Sequence, residues 1–210
     1  MNMCEQMISI AQLEQMFNGN PQTRIHLAVA RYRTYDEFVK IVHDVIDIIF
    51  RSYEENPKYK NNMGEDELTM MLIENMKSYG LTAMHDAMSG GHCDIVVKGR
   101  DDFTWLGEAK IHRSYDWLFK GFQQLDTRYM APAEYRDHGG MIIYCYVKRA
   151  DTVFKNWIEH LSCTRTDVVI DHYDSDKIRC VTSHVHERNG RTVKIWHAIA
   201  ALHFSPQDKN

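Results

Sequence analysis

Cys93-Asp94-Ile95-Val96-Val97-Lys98-Gly99-Arg100-Asp101-Asp102-Phe103-Thr104-Trp105-Leu106-Gly107-Glu108-Ala109-Lys110-Ile111 is the stretch whose pattern decides the fold. Two runs rich in β-branched and aromatic residues flank Gly99-Arg100-Asp101-Asp102, which predicts strands over 93–98 and 103–111 joined by a turn. Strand alternation puts the Glu108 and Lys110 side chains on one face. Asp94 opens the first strand directly after the flexible Gly90-Gly91. Paired as a hairpin, the two strands bring Asp94 and Glu108 together at one end of a sheet.

Outward from this hairpin the chain alternates between helical and strand patterns. A helix is predicted over 65–79, closed by Gly80 as a C-cap, and another over 115–130, ended by Ala131-Pro132. Residues 141–147 form a continuous apolar run, as expected of a strand buried on both faces, and 152–161 reads as a helix. Two further strands, 178–186 and 192–203, flank the hairpin signal Asn189-Gly190. Upstream, Thr34 is the expected N-cap of a helix over 35–55 that stops at Asn56-Pro57. Its apolar set, Phe38, Ile41, Val42, Val45, Ile46 and Ile49, makes one packing face. Residues 3–17 read as a short helix, 24–32 as a strand and 81–92 as irregular or weakly extended. The polar, lysine-bearing stretch 57–64 is the expected boundary between an N-terminal α/β element, 1–57, and a main domain, 58–210. The order predicts an α/β fold with a mixed central sheet flanked by helices.

Composition narrows the function classes. The chain has 210 residues, 44% hydrophobic and 26% charged, with a formal net charge of −4, which argues against a protein that coats DNA by electrostatics alone. Nothing approaches the run of about 18 apolar residues that a membrane span requires. The N-terminus lacks the basic start and cleavage site of a signal peptide, so cytoplasmic residence is expected. Five cysteines without a Cys-x-x-Cys pair argue for reduced thiols rather than disulfides or a cysteine zinc site. Twelve histidines show no His-x-x-x-His or His-Glu-x-x-His spacing. His184, His186, His197 and His203, on the last two strands, are expected to face solvent or nucleic acid.

Asp94, Glu108 and Lys110 carry the chemistry. Mg2+ takes hard oxygen ligands in an octahedral shell and usually keeps several waters, so two carboxylates and the Ala109 carbonyl suit it. Such an ion acidifies a water and offsets charge on a scissile phosphate, while Lys110 orients that water and stabilises the transition state. Two acids crowded at a sheet end repel each other in low dielectric, and a bound cation removes that cost. Glu108-Ala109-Lys110 is the sole [Asp/Glu]-x-Lys in the sequence.

These residues, Gly91-His92-Cys93-Asp94-Ile95-Val96-Val97 followed by Leu106-Gly107-Glu108-Ala109-Lys110-Ile111, resemble the PD-(D/E)XK nuclease superfamily over roughly residues 65–147. The resemblance implies a restriction-endonuclease-like αβββαβ core, here with an added N-terminal helical element and a C-terminal β-hairpin. It implies Mg2+ dependence, with Mn2+ as the expected substitute, and hydrolysis of DNA or, less often, RNA. Asp94 and Glu108 become metal ligands and Lys110 the catalytic lysine. Cys93 stands where the family name has proline. A further acid on the preceding helix is implied, with Glu67 the expected residue and Glu74 the next choice. Some members carry a glutamine and a tyrosine four residues apart on the following helix; Gln124 and Tyr129 are five apart. Gln124 is expected to bond the attacking water or a substrate group, and Arg128 to hold a phosphate from the same helix face.

His112, Arg113 and Lys120, interleaved with Tyr115 and Trp117, bracket the site and suit a phosphate track with base stacking. The expected activity is that of a DNA endonuclease, and small nucleases of this kind often serve as restriction or anti-phage effectors. The competing class is a binding module on the same fold that recognises nucleic acid or a partner without cutting. The intact Asp94, Glu108 and Lys110 set argues against it. The N-terminal element is expected to be an interface, for a second copy or a partner protein.

Overall fold

The apolar stripe over 38–49 organises one layer of the molecule. In the computed structural model, which describes residues 9–17, 20–85, 87–88 and 92–208, it lies on the third of six α-helices. These are α1 (Ile10–Phe17), α2 (Pro21–Arg31), α3 (Tyr35–Glu55), α4 (Glu65–Ser78), α5 (Tyr115–Gln123) and α6 (Ala150–Thr164). The strands are β1 (Thr82–Met84), β2 (Ala87–Met88), β3 (His92–Cys93), β4 (Ile95–Lys98), β5 (Thr104–Ile111), β6 (His138–Cys145), β7 (Val169–Asp174), β8 (Arg179–Val185) and β9 (Thr192–Ala201). Thr34 and Glu37 cap α3 reciprocally, each side chain accepting the other's backbone N–H, so α3 starts where expected.

A seven-stranded sheet runs in the order β1-β4-β5-β6-β9-β8-β7. β4 is antiparallel to β1 and β5, whereas β5, β6 and β9 are mutually parallel. Helix α4, strands β1, β4 and β5, helix α5 and strand β6 thus follow one another as helix, three antiparallel strands, helix and parallel strand. Alternate residues face two layers. Trp105, Ala109, Ile142, Tyr144 and Trp196 pack under α3 and α4, in one core with Phe38, Val42, Ile46 and Leu72. Residues on both sides of the expected 57/58 boundary therefore share that core. Leu106, Met141, Ile143, Ile195 and Ile199 pack on the opposite face with Phe122, Phe154 and Trp157 of α5 and α6. Gly140 gives Trp105 its place, since a Cβ there would lie 2.3 Å from the indole.

One expectation needs correction. Residues 24–32 are not a strand but most of α2: Asn20 accepts from the Gln22 and Thr23 N–H groups and Pro21 fills the first turn. Asn20-Pro21 is thus a helix start. The stretch read as irregular or weakly extended over 81–92 contains the short strand β1, paired with β4. Strand β7, not anticipated, adds an exposed edge to the C-terminal hairpin. That hairpin closes through a loop longer than the two-residue type, with His186 N donating to the Arg191 carbonyl. Of the expected helix over 3–17, α1 begins at Ile10; residues 3–8, like Gly90 and Gly91, lie outside the described residues. Among the described residues no helix is long and apolar enough to cross a membrane.

Candidate phosphodiester site

Strands β4 and β5 pair with Ile95 opposite Gly107, a register that carries Asp94 to the position across from Glu108. Asp94 Oδ2 accepts the Ala109 N–H at 2.9 Å, fixing the carboxylate at the end of β4. Glu108 and Lys110 share the α5 face of the sheet, and both are buried, at 1% and 6% exposure. The Lys110 ammonium lies 2.6 Å from Glu108 Oε1, 3.2 Å from Glu65 Oε1 and 3.8 Å from Asp94 Oδ2, and donates to the Ala109 carbonyl at 3.0 Å. The three residues named from sequence are brought together.

Three carboxylates thus face one ammonium. Burial first, and then the neighbouring Asp94, push the Glu108 carboxyl up to about 7 despite Lys110. Burial opposes the Lys110 charge, but Glu108, Asp94 and Glu65 outweigh it and hold the ammonium above its ordinary value. Glu108 Oε2 is buried without a hydrogen-bond partner. An orphaned carboxylate oxygen is costly to leave unmade, and it marks where a donor or cation fits.

The helix acid differs from expectation. Glu67 does not reach the site: its Oε2 accepts the Gly64 N–H at 2.7 Å and caps α4. Glu74 pairs with Lys77 on the surface. Glu65, at the first position of α4, is the acid that arrives, with Oε2 taking the Ile111 N–H at 2.8 Å and Oε1 meeting Lys110. The Glu65–Glu67 spacing and the acidic first turn of α4 were both legible, but sequence alone does not say which acid turns back to cap.

Among the described residues no three His, Cys, Asp or Glu side chains form a ready-made metal cage. Lys110 occupies the centre of this cluster, and the Ala109 carbonyl, expected to face a metal, accepts from Lys110 instead. Mg2+ is nonetheless commonly held by one or two carboxylates and waters. The orphaned Glu108 oxygen, the Asp94 carboxylate and the surplus of negative charge fit that donor set.

The helix after the site is not α throughout. Gln124–Tyr129 forms a π-helical turn, closed by Met130 N donating to the Leu125 carbonyl at 2.9 Å. In an α-helix residues five apart diverge, whereas i→i+5 closure draws them toward one face. Tyr129 is buried, and burial, followed by the charges of Glu108 and Asp94, raises its phenol above the ordinary value. Gln124 is half-buried and Arg128 exposed on this turn.

Around the mouth, Lys110, Arg113 and Lys120 stand 5.4 to 5.9 Å from the Trp117 ring. The Trp117 indole N–H and both His112 ring nitrogens are buried without partners, and burial lowers the His112 basicity. Three of the four C-terminal histidines depart from expectation. His184, His186 and His197 are buried, whereas His203 is exposed as expected, with Nδ1 meeting the Tyr146 carbonyl. Cys93, Cys145, Cys163 and Cys180 are free thiols. An open groove of about 780 Å3 between α2 and α3 is remote from this chemistry; its acids are engaged, Glu37 in the cap of α3 and Asp44 with Lys40.

No family model, no curated protein and no solved structure matches the chain.

Proposed function

We propose that the chain is a divalent-metal-dependent nuclease, expected to act on DNA ahead of RNA, on a restriction-endonuclease-like core running from α4 to β6. One observation carries this reading: Asp94, Glu108 and Lys110 meet at the end of a hairpin, with a buried carboxylate oxygen left unpartnered. A buried polar atom left without its hydrogen bond costs about 1–3 kcal/mol, so such an oxygen calls for a donor or a cation.

Asp94 and Glu108 would hold a Mg2+ ion, whose chemistry when bound is to acidify a water and offset phosphate charge. Lys110, kept protonated by three carboxylates, supplies a fixed positive charge where the phosphoryl oxygens accumulate negative charge. Glu65 keeps Lys110 aimed by holding both its ammonium and the neighbouring Ile111 N–H. Arg113 and Lys120, with Trp117 between them, offer the strand a cationic and aromatic approach.

Linear, circular and single-stranded DNA, and RNA, incubated with Mg2+, Mn2+ or EDTA test this directly. Cleavage is expected with either metal, absent in EDTA, and reduced about 10²–10³-fold or more in Lys110→Ala, the scale of losing a transition-state donor. Cleavage that survives EDTA or Lys110→Ala would overturn the assignment.

A further inference from the structure

The end of the π-turn has a hydrogen-bond problem that the C-terminal hairpin solves. Met130 N is used by the Leu125 carbonyl, and residue 132 is proline, so the Asp126 and Thr127 carbonyls find few donors ahead of them in the chain. His186 Nε2 meets the Asp126 carbonyl at 3.0 Å, and the Arg188 guanidinium donates to the Thr127 carbonyl. Asn189 Nδ2 donates to the Pro132 carbonyl at 2.6 Å. His186 Nδ1 accepts the Arg188 N–H at 3.3 Å, which leaves the ring proton on Nε2, where the Asp126 carbonyl requires it. The Asp126 carboxylate is buried as well, held by His184 Nε2 at 2.9 Å and Arg165 Nη1 at 3.0 Å. Side chains from β8, the β8–β9 loop and the segment after α6 therefore converge on one turn.

That turn packs against β3 and β5, and Tyr129 at its end shares a core with Cys93, the residue preceding Asp94. We infer that the His186–Arg188–Asn189 clamp, with Asp126 as its anchor, fixes the π-turn and thereby positions Tyr129 beside the Asp94/Glu108 pair. The functional half of this inference rests on the nuclease reading. Asp126 and His186 are positioning residues: they act through the turn and touch no reacting group. A buried, paired carboxylate inside the core is an expensive way to stabilise a sheet, and apolar residues would serve that end equally well. A backbone of unusual closure, by contrast, needs donors at set points.

The test compares His186→Ala, Arg188→Ala and His186→Gln with the wild type by amide hydrogen exchange and by DNA-cleavage kinetics in Mg2+. In His186→Ala, exchange at the Met130 amide is expected to rise about tenfold above any change in the β5 and β6 amides. The same variant is expected to lower kcat about tenfold with KM near the wild-type value. Glutamine, which can again donate to the Asp126 carbonyl, restores both. Should His186→Ala fail to fold, Arg188→Ala reads the same amide from the exposed side of the clamp. Unchanged exchange at Met130, or a rise spread evenly over the sheet, would overturn the inference. A wild type that cuts no nucleic acid would defeat the nuclease reading, and the Met130 exchange would still decide the clamp.

Discussion

Glu65 and Glu67 stand two residues apart at the start of α4 and meet different fates. Glu65 turns toward Lys110 and the Ile111 N–H, and Glu67 turns back to the Gly64 N–H. Their substitutions separate accordingly. Glu65→Gln is expected to lower cleavage by about tenfold or more with a small change in melting temperature, since it loosens Lys110. Glu67→Gln removes a charged cap, costs about 1 kcal/mol in urea unfolding, and leaves cleavage near the wild-type rate. The opposite pairing of effects would show that the site acid is misassigned. At this scale Asp94, Glu108 and Lys110 were readable, because strand alternation and one short turn determine where they meet. The choice among Glu65, Glu67 and Glu74 was not, because it depends on a side-chain rotation at a helix terminus.

Among elements, α5 is the one that closes over the site. Gly121 faces the sheet so closely that a Cβ would lie 2.8 Å from Lys110 Cγ and 3.0 Å from Met141 Cε. Gly121→Ala is therefore expected to displace Lys110 rather than unfold the helix, where alanine is intrinsically the better former. Cleavage should fall about tenfold while the melting temperature changes by only a few degrees; wild-type kinetics in this variant would contradict the packing described. Element types were legible where a long period or a cap was present: α3, with its reciprocal cap and one apolar face, matched its expected bounds. Short alternating stretches were not. Ile25, Leu27 and Val29 alternate like a strand, yet Ile25, Ala28, Val29 and Tyr32 equally satisfy a helical period, and the Asn20 cap decides between them. The π-turn was hidden for a related reason, since the donors that meet its carbonyls lie about sixty residues away.

For the molecule as a whole, histidines expected on the surface turn out to be structural. His197 is fully buried between the sheet and α6, where Nδ1 accepts the Trp157 indole N–H at 3.2 Å and Nε2 meets Thr182 Oγ1 at 2.9 Å. An indole only donates, so the ring must present a bare Nδ1 and is held neutral. Burial, with His184 nearby, pushes His197 down to about 3 from an ordinary 6.5. The unfolded chain takes up this proton near 6.5 and the folded chain refuses it until about 3. The resulting stability is complete above that window and is lost as pH falls through it. Between pH 7 and pH 5 the wild type should lose roughly 2 kcal/mol more than His197→Leu in urea unfolding. Equal losses would mean that His197 does not titrate against the fold. Nothing in a lone strand histidine announced this, because burial of β8 and β9 is set by the helix that covers them.

Diffraction from a crystal soaked in Mn2+ and recorded at the manganese edge tests the central claim most directly. A single anomalous peak is expected between Asp94 and Glu108, about 2.0–2.2 Å from the Glu108 oxygen now without a partner, and absent in Glu108→Gln. A cluster that stays free of manganese, with Lys110 still paired to Glu108 in the soaked wild type, would contradict it.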